Sequence, residues 1–168
     1  MECWISAALV GAGATLAMDL WTLARSRLFG IASLDYRLVG RWLLWLPRGR
    51  LRHHSIASSP PMPGERWIGW TAHYLIGIAF AAILLAIAGS AWSSHPTIGP
   101  ALIVGIGSVA APFLVMQPAM GFGIAASRTP RPAAARMRSL ATHAVFGLGL
   151  YGAGWAVLGL NTLFNRLS

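Results

Sequence analysis

Four apolar runs divide the chain, and each is long enough to cross a membrane as a helix. A bilayer core requires about 20 mostly apolar residues. The runs cover residues 4–24, 68–91, 98–125 and 140–164. The third run contains Pro112 and Pro118, and prolines remove backbone hydrogen bonds from a helix. The pattern therefore predicts an all-α membrane protein with four transmembrane helices, the third kinked or locally unwound near Gln117.

The connection between the first two runs, residues 25–67, predicts one further helix. Apolar residues recur there at spacings of three and four among arginines, which is typical of an amphipathic helix lying in the membrane interface. Ser33 is the predicted N-cap, and Asp35 is expected in the first turn, near the positive end of the helix dipole. Pro47 and Gly49 end this helix, and the polar stretch that follows is expected to be irregular.

Charge is scarce, and its placement narrows the class of protein. Of 168 residues, 56% are hydrophobic and 10% are charged, whereas a soluble domain carries about a quarter charged residues. A soluble enzyme and a disordered chain are both disfavoured. We expect residues 1–168 to form a single integral membrane domain whose main partner is the lipid bilayer.

The net charge of +9 comes from thirteen positive residues, all arginines, which could suggest a nucleic-acid partner. All but Arg166 fall in the intervals after the first and third runs, however. Arginine confined to alternate loops is the positive-inside pattern. We therefore expect both arginine-rich loops in the cytoplasm, both termini on the opposite side (the periplasm, if the membrane is a bacterial inner membrane) and no nucleic-acid partner.

The second and fourth runs share a short pattern that suggests an internal repeat. His73 and His143 each follow small residues and precede a glycine by four positions. More loosely, Met18–Asp19 in the first run matches Met116–Gln117 in the third. We interpret this as a duplicated two-helix hairpin. Because each hairpin contributes two spans, the two repeats would be parallel and related by an axis along the membrane normal.

The repeat predicts a polar cluster inside the membrane, at roughly 8–10 Å from the cytoplasmic boundary by helical rise. Polar side chains in hydrocarbon are costly, so they should face the bundle interior and pair with one another. The four expected members are Asp19, His73, Gln117 and His143, with Met18, Tyr74 and Met116 as neighbours. In the simplest interpretation these groups only hydrogen-bond helix to helix.

Three functions remain open for such a cluster. The leading hypothesis is binding or conduction of a small solute or proton, with Asp19 and a histidine exchanging protons. The second is a haem- or quinone-associated redox subunit, in which His73 and His143 bind a metal or are the axial haem ligands. The third is a non-catalytic accessory subunit of a larger membrane complex. An enzyme is less favoured, because no nucleophile motif accompanies an Asp19–His73 acid–base pair.

Pairs of small residues four positions apart occur along the spans and favour close helix packing, including self-association into a homo-oligomer. They are Ala7, Gly11 and Thr15, then Gly107 and Ala111, Gly149 and Ala153, and Gly152 and Ala156.

Several longer motifs resemble a known family. They read GATLAMDLW at 13–21, GRW at 40–42, PGER at 63–66, HY at 73–74, QP at 117–118, ASRTP at 126–130 and HAVFGLGLY at 143–151. On these residues the chain resembles an uncharacterised family of small bacterial membrane proteins, the domain of unknown function 2938. The resemblance covers nearly the whole chain and implies an inner-membrane location. It brings no established activity, so no catalytic residue is carried over.

Overall fold

A computed structural model describes residues 3–31 and 34–167, and these residues are largely helical. The seven α-helices among them are α1 (Cys3–Phe29), α2 (Tyr36–Trp45), α3 (Glu65–Ala88), α4 (Ser90–Ser94), α5 (Ile98–Gly107), α6 (Gln117–Met120) and α7 (Pro132–Leu167). Single 3₁₀ turns cover Leu46–Arg48 and Ile124–Ala126, and a π-helical turn covers Pro112–Met116. The predicted all-α class is confirmed.

Four helical segments within the described residues are long and apolar enough to span a membrane. They are Trp4–Phe29, Glu65–Ala88, Ile98–Met120 and Pro132–Phe164. Large apolar side chains on these segments point outward; Ile87 is 75% exposed, Ile103 74% and Leu114 62%. So much apolar surface is unusual for a soluble monomer and fits contact with lipid. The four predicted transmembrane helices are confirmed by length and composition.

The helices differ from the apolar runs at their ends. The first continues five residues past the predicted boundary to Phe29, and the last begins at Pro132 instead of residue 140. Arginine and alanine are good helix formers, so the helix outlasts the apolar run, and Pro132 occupies the favoured first position. The third segment ends at Met120, before the predicted residue 125, because Gly121 adopts the left-handed conformation with φ of 97°.

The third segment is irregular where its prolines occur. Regular α-helix ends at Gly107, and the backbone N–H of Gln117 donates to the carbonyl of Pro112, five residues earlier. Such a widened turn accommodates a proline, which has no N–H of its own. The predicted irregularity near Gln117 is confirmed, and it lies immediately before that residue.

The chain forms two compact units. The first comprises Met1–Ile31, Tyr74–Gly107 and Thr142–Ser168, and the second comprises Ala32–His73 and Ser108–Ala141. The core of the first unit is built by small and branched apolar residues of α1, α3, α5 and α7. Trp92 of α4 is also buried in this core, and its indole N–H donates to the Thr97 carbonyl at 3.0 Å.

Glycines set two helix crossings in the first unit. A Cβ atom at Gly11 of α1 would overlap the backbone of Ile78 in α3, and one at Gly105 of α5 would overlap the backbone of Gly147 in α7. Gly77, which also approaches α1, and Gly147 are the glycines four residues after the two repeat histidines. The duplicated pattern thus marks the same kind of contact in both hairpins, where small residues let backbones approach closely.

The small-residue pairs do not all pack alike. Gly149 approaches the backbone of Ala14, so this position contributes to packing within the first unit. Gly107 and Gly152, in contrast, would meet nothing within 4 Å if a Cβ were added. Self-association through these faces stays a prediction.

In the second unit, α2 packs tightly against the first turns of α3. A Cβ at Gly40 would collide with the carbonyl of Glu65, and one at Gly69 with the carbonyl of Tyr36. The predicted loop helix is present, but Asp35 is its N-cap, accepting from the backbone N–H of Arg37 at 3.0 Å, and does not lie in the first turn. Ser33, the predicted cap, lies outside the described residues.

Candidate functional site

Asp19 has a hydrogen-bond partner on a second span. It is half-buried on α1, and its carboxylate accepts a hydrogen bond of 3.1 Å from the hydroxyl of Tyr74 on α3. Both helices are span-length, and both residues belong to the first unit. An ionisable side chain in a membrane-spanning segment is expensive and is a functional-site hypothesis by default. Tyr74, predicted only as a neighbour, contacts the Asp19 carboxylate directly.

A polar stripe continues along α1 from Asp19. The Thr22 hydroxyl donates to the backbone carbonyl of Asp19 at 2.9 Å. The Arg25 guanidinium donates to the Thr142 hydroxyl of α7 at 3.4 Å. Residues three apart on a helix are neighbours on its surface, so Asp19, Thr22 and Arg25 follow one another. From the sequence, Arg25 was assigned only to the end of the first span. Its position three residues after Thr22 was the indication that polar groups extend further along this face of α1.

His73 belongs to an aromatic group in the second unit. Its ring stacks on Tyr36 of α2, with centroids 4.1 Å apart and planes inclined by 24°. Trp70 meets the same histidine edge-on at 6.0 Å and lies 4.8 Å from Tyr36. Aromatic contacts of this kind add about 0.5–1.5 kcal/mol each beyond area burial. Tyr36 was not among the predicted site residues, because only the close glycine packing of α2 on α3 brings it there.

Gln117 presents a buried acceptor. Its Oε1 has no hydrogen-bond partner among the described residues, although the atom is shielded from solvent. Leaving a buried polar group unsatisfied costs about 1–3 kcal/mol. Met116, the residue before it, ends the π-helical turn, and such turns are frequent at functional sites. The Oε1 atom of Gln117 can therefore accept a hydrogen bond from a further donor.

The four predicted cluster residues are divided between the two units. Asp19 and His143 fall in the first, where Met18 is also buried, and His73 and Gln117 fall in the second. His143 is half-buried on α7, next to Thr142. The single four-residue cluster stays a prediction. The structure adds Tyr74 as a partner of Asp19, and Tyr36 and Trp70 as neighbours of His73.

A buried ion pair, not predicted from the sequence, organises the second unit. Arg41 of α2 binds Glu65 through two parallel hydrogen bonds of 2.8 and 2.9 Å. Its remaining terminal nitrogen donates to the carbonyl of Ser59 at 2.9 Å and also approaches two neighbouring carbonyls. The two-point bond to Glu65 raises the pKa of Arg41. The pair joins the GRW and PGER motifs of the family pattern.

Metal and haem binding gain no geometric support. In the part of the chain that the structure describes, no group of three or more His, Cys, Asp or Glu residues is arranged to hold a metal ion. His73 and His143, the proposed axial ligands, belong to different units. The haem hypothesis stays a prediction.

The fold and its polar positions define an all-helical protein with four segments able to span a membrane. Residues 8–157 match the family described as Protein of unknown function (DUF2938), and the chain belongs to that family. No curated protein and no solved structure matches the chain.

Proposed function

We propose that this protein binds or conducts a small solute or a proton across the membrane, at a site centred on Asp19 and Tyr74. The observation that carries the proposal is the 3.1 Å hydrogen bond between these side chains, which joins two span-length helices. A purely structural link between helices does not require an ionisable group, since hydroxyls and amides also serve. A carboxyl group placed there can take up and release a proton.

The chemistry around Asp19 supports a role in proton transfer. Its partner Tyr74 donates a hydrogen bond from a neutral hydroxyl, which orients the carboxyl group. Thr22 and Arg25 follow on the same face of α1, where the Thr22 hydroxyl donates to the backbone carbonyl of Asp19 and the Arg25 guanidinium donates to Thr142 of α7. Polar side chains inside membrane segments are typical of substrate, ion and proton pathways.

Proton flux into proteoliposomes tests this proposal. The purified protein is reconstituted with a pH-sensitive dye inside the vesicles, and a potassium diffusion potential drives proton entry. Asp19→Asn should reduce flux to the level of protein-free vesicles, and Tyr74→Phe should reduce it partly. Asp35→Asn is the matched control, because it makes the same chemical change on the exposed cap of α2. Flux in Asp19→Asn equal to that of the wild type would refute the proposal.

We further propose a bacterial inner-membrane location with both termini in the periplasm and the arginine-rich loops in the cytoplasm. The arginine distribution supports this orientation. In a Cys3→Ser background, Ser93→Cys and Ser58→Cys each place one thiol at an exposed position of a different loop. An impermeant maleimide added to spheroplasts should label the Ser93→Cys variant and leave Ser58→Cys unlabelled until the membrane is opened. The reverse pattern would show the opposite orientation.

A further inference from the structure

The segment after α2 lines a solvent-open polar cavity of about 430 Å³ that the proposed transport function does not use. Arg50, Arg52, His53 and His54 line it together with the hydroxyl groups of three serines. We propose that this cavity binds a phosphate group. The group belongs either to a phospholipid headgroup or to free phosphate, and the chemistry of recognition is the same in both cases.

Charge balance favours an anion at this position. The second unit contains two acids, Asp35 and Glu65, and most of the arginines of the chain. Asp35 is bound to Arg37 and Glu65 to Arg41. No carboxylate of the second unit is therefore left for Arg50 and Arg52. Two arginines that line one cavity, with no carboxylate of their unit left to pair with them, attract an anion from solution or from the membrane surface.

The cavity wall is held in a defined shape. The backbone N–H of His53 donates to the Ala119 carbonyl at 2.7 Å, and that of Ile56 donates to Met120 at 3.0 Å. The Ile56 side chain is fully buried, and Arg41 donates a hydrogen bond to the carbonyl of Ser59. Ordering this segment during folding lowers the entropy lost when a ligand binds, which is the advantage of a preformed site.

The donors suit the geometry of a phosphate group. The Arg50 guanidinium lies over the ring of Trp45, 4.7 Å from its centroid, which restricts its position. Arginine presents planar paired N–H groups that match two phosphate oxygens. In His53, Nδ1 is within 2.9 Å of the Ser59 hydroxyl, while Nε2 is buried and has no partner in the described part of the chain. A serine hydroxyl or a histidine N–H supplies the remaining oxygen with a donor.

Calorimetric titration of the full-length protein in a neutral maltoside detergent tests the proposal with two probes. One arm uses inorganic phosphate, and the other uses short-chain phosphatidylglycerol against short-chain phosphatidylcholine. The test variant is Arg50→Gln with Arg52→Gln. The matched control is Arg128→Gln with Arg131→Gln, which removes the same charge from exposed positions in the other arginine-rich loop.

We expect saturable binding of at least one phosphate probe, weakened at least about tenfold in the cavity variant and unchanged in the control, because charge-assisted hydrogen bonds are lost. Binding of inorganic phosphate identifies a soluble ligand, and binding of phosphatidylglycerol alone identifies a lipid headgroup. Equal weakening in both double variants would show general charge attraction and overturn the proposal, as would the absence of saturable binding to either probe.

Two single-residue variants distinguish a folding defect from the loss of the binding site. Arg52 is exposed, so Arg52→Gln alone should leave the helical circular dichroism and the gel-filtration profile unchanged. It should still bind the phosphate probe more weakly than the single control Arg128→Gln. Equal affinity of these two folded variants would contradict the proposal even where the double variant does not fold.

Discussion

Helix α2 and its cap hold two pairs of the same chemistry in different surroundings. Arg37 binds Asp35, two residues away, and the side chains are 60% and 39% exposed. Arg41 binds Glu65, 24 residues away, and the side chains are 10% and 12% exposed. The first pair closes the end of one helix. The second joins α2, the start of α3 and the chain between them.

The difference in burial shows which of the two pairs contributes more to the stability of the fold. An exposed pair is screened by solvent and contributes little to stability. A buried pair loses hydration, and removing one partner leaves an uncompensated charge, which costs about 3–5 kcal/mol. Arg41 also binds the Ser59 carbonyl, and the Met62 backbone N–H donates to Glu65 at 2.9 Å. The buried pair therefore orders the segment that carries the proposed phosphate site.

Removing the charge of Glu65 should have the largest effect on stability. Glu65→Gln leaves Arg41 buried without its carboxylate, and we expect a loss of about 3 kcal/mol. Thermal unfolding in detergent, followed by circular dichroism, measures this loss, and limited proteolysis should detect earlier cleavage near residue 56. The control is Arg66→Gln at the adjacent exposed position. A Glu65→Gln midpoint equal to that of the control would show that the pair does not stabilise the fold.

Adding one methyl group at Gly40 should separate the buried pair without changing either charge. A Cβ there would collide with the Glu65 carbonyl, so α2 must move away from α3. We expect Gly40→Ala to lose about 1–3 kcal/mol by overpacking. Gly99→Ala is the control, because a Cβ there meets nothing within 4 Å and gains the same helix propensity. Similar midpoints for the two variants would mean that the close crossing is not required.

The contrast between the two ion pairs also explains which features of the fold could be predicted from the sequence. Hydropathy predicted the four spans, and local spacing predicted the loop helix with Asp35 near its start. These features depend on neighbours in sequence. The contacts of Arg41 with Glu65 and of Tyr36 with His73 depend on the approach of α2 to α3, which two glycines permit. Nothing in the local pattern distinguishes those glycines from others, so the partners could not be assigned.

The candidate site was likewise predictable in its residues but not in its contacts between helices. Asp19 stood out as an acid inside an apolar run, and Tyr74 was expected nearby because it follows His73. The contact of Tyr74 with Asp19 within the first unit is set by the rotation of α3 against α1. This rotation is fixed by packing at Gly11 and Gly77, eight residues before Asp19 and three residues after Tyr74.

The exposed pair should produce the smallest effect, visible only through its dependence on pH. Arg37 holds the pKa of Asp35 below its ordinary value of 3.8. The resulting stabilisation is present in full above that value and is lost as the pH falls through the lower pKa of the folded state. Asp35→Asn keeps a cap oxygen for the Arg37 N–H and removes only the charge. The wild type should melt slightly above this variant at pH 6, and the gap should close as the pH falls through the lowered pKa of Asp35 in the folded state. Titration of Glu65 affects both proteins alike and cancels from the difference. A gap that stays constant with pH would show that Asp35 acts as a cap alone, and the exposed pair would then contribute nothing to the comparison with Arg41 and Glu65.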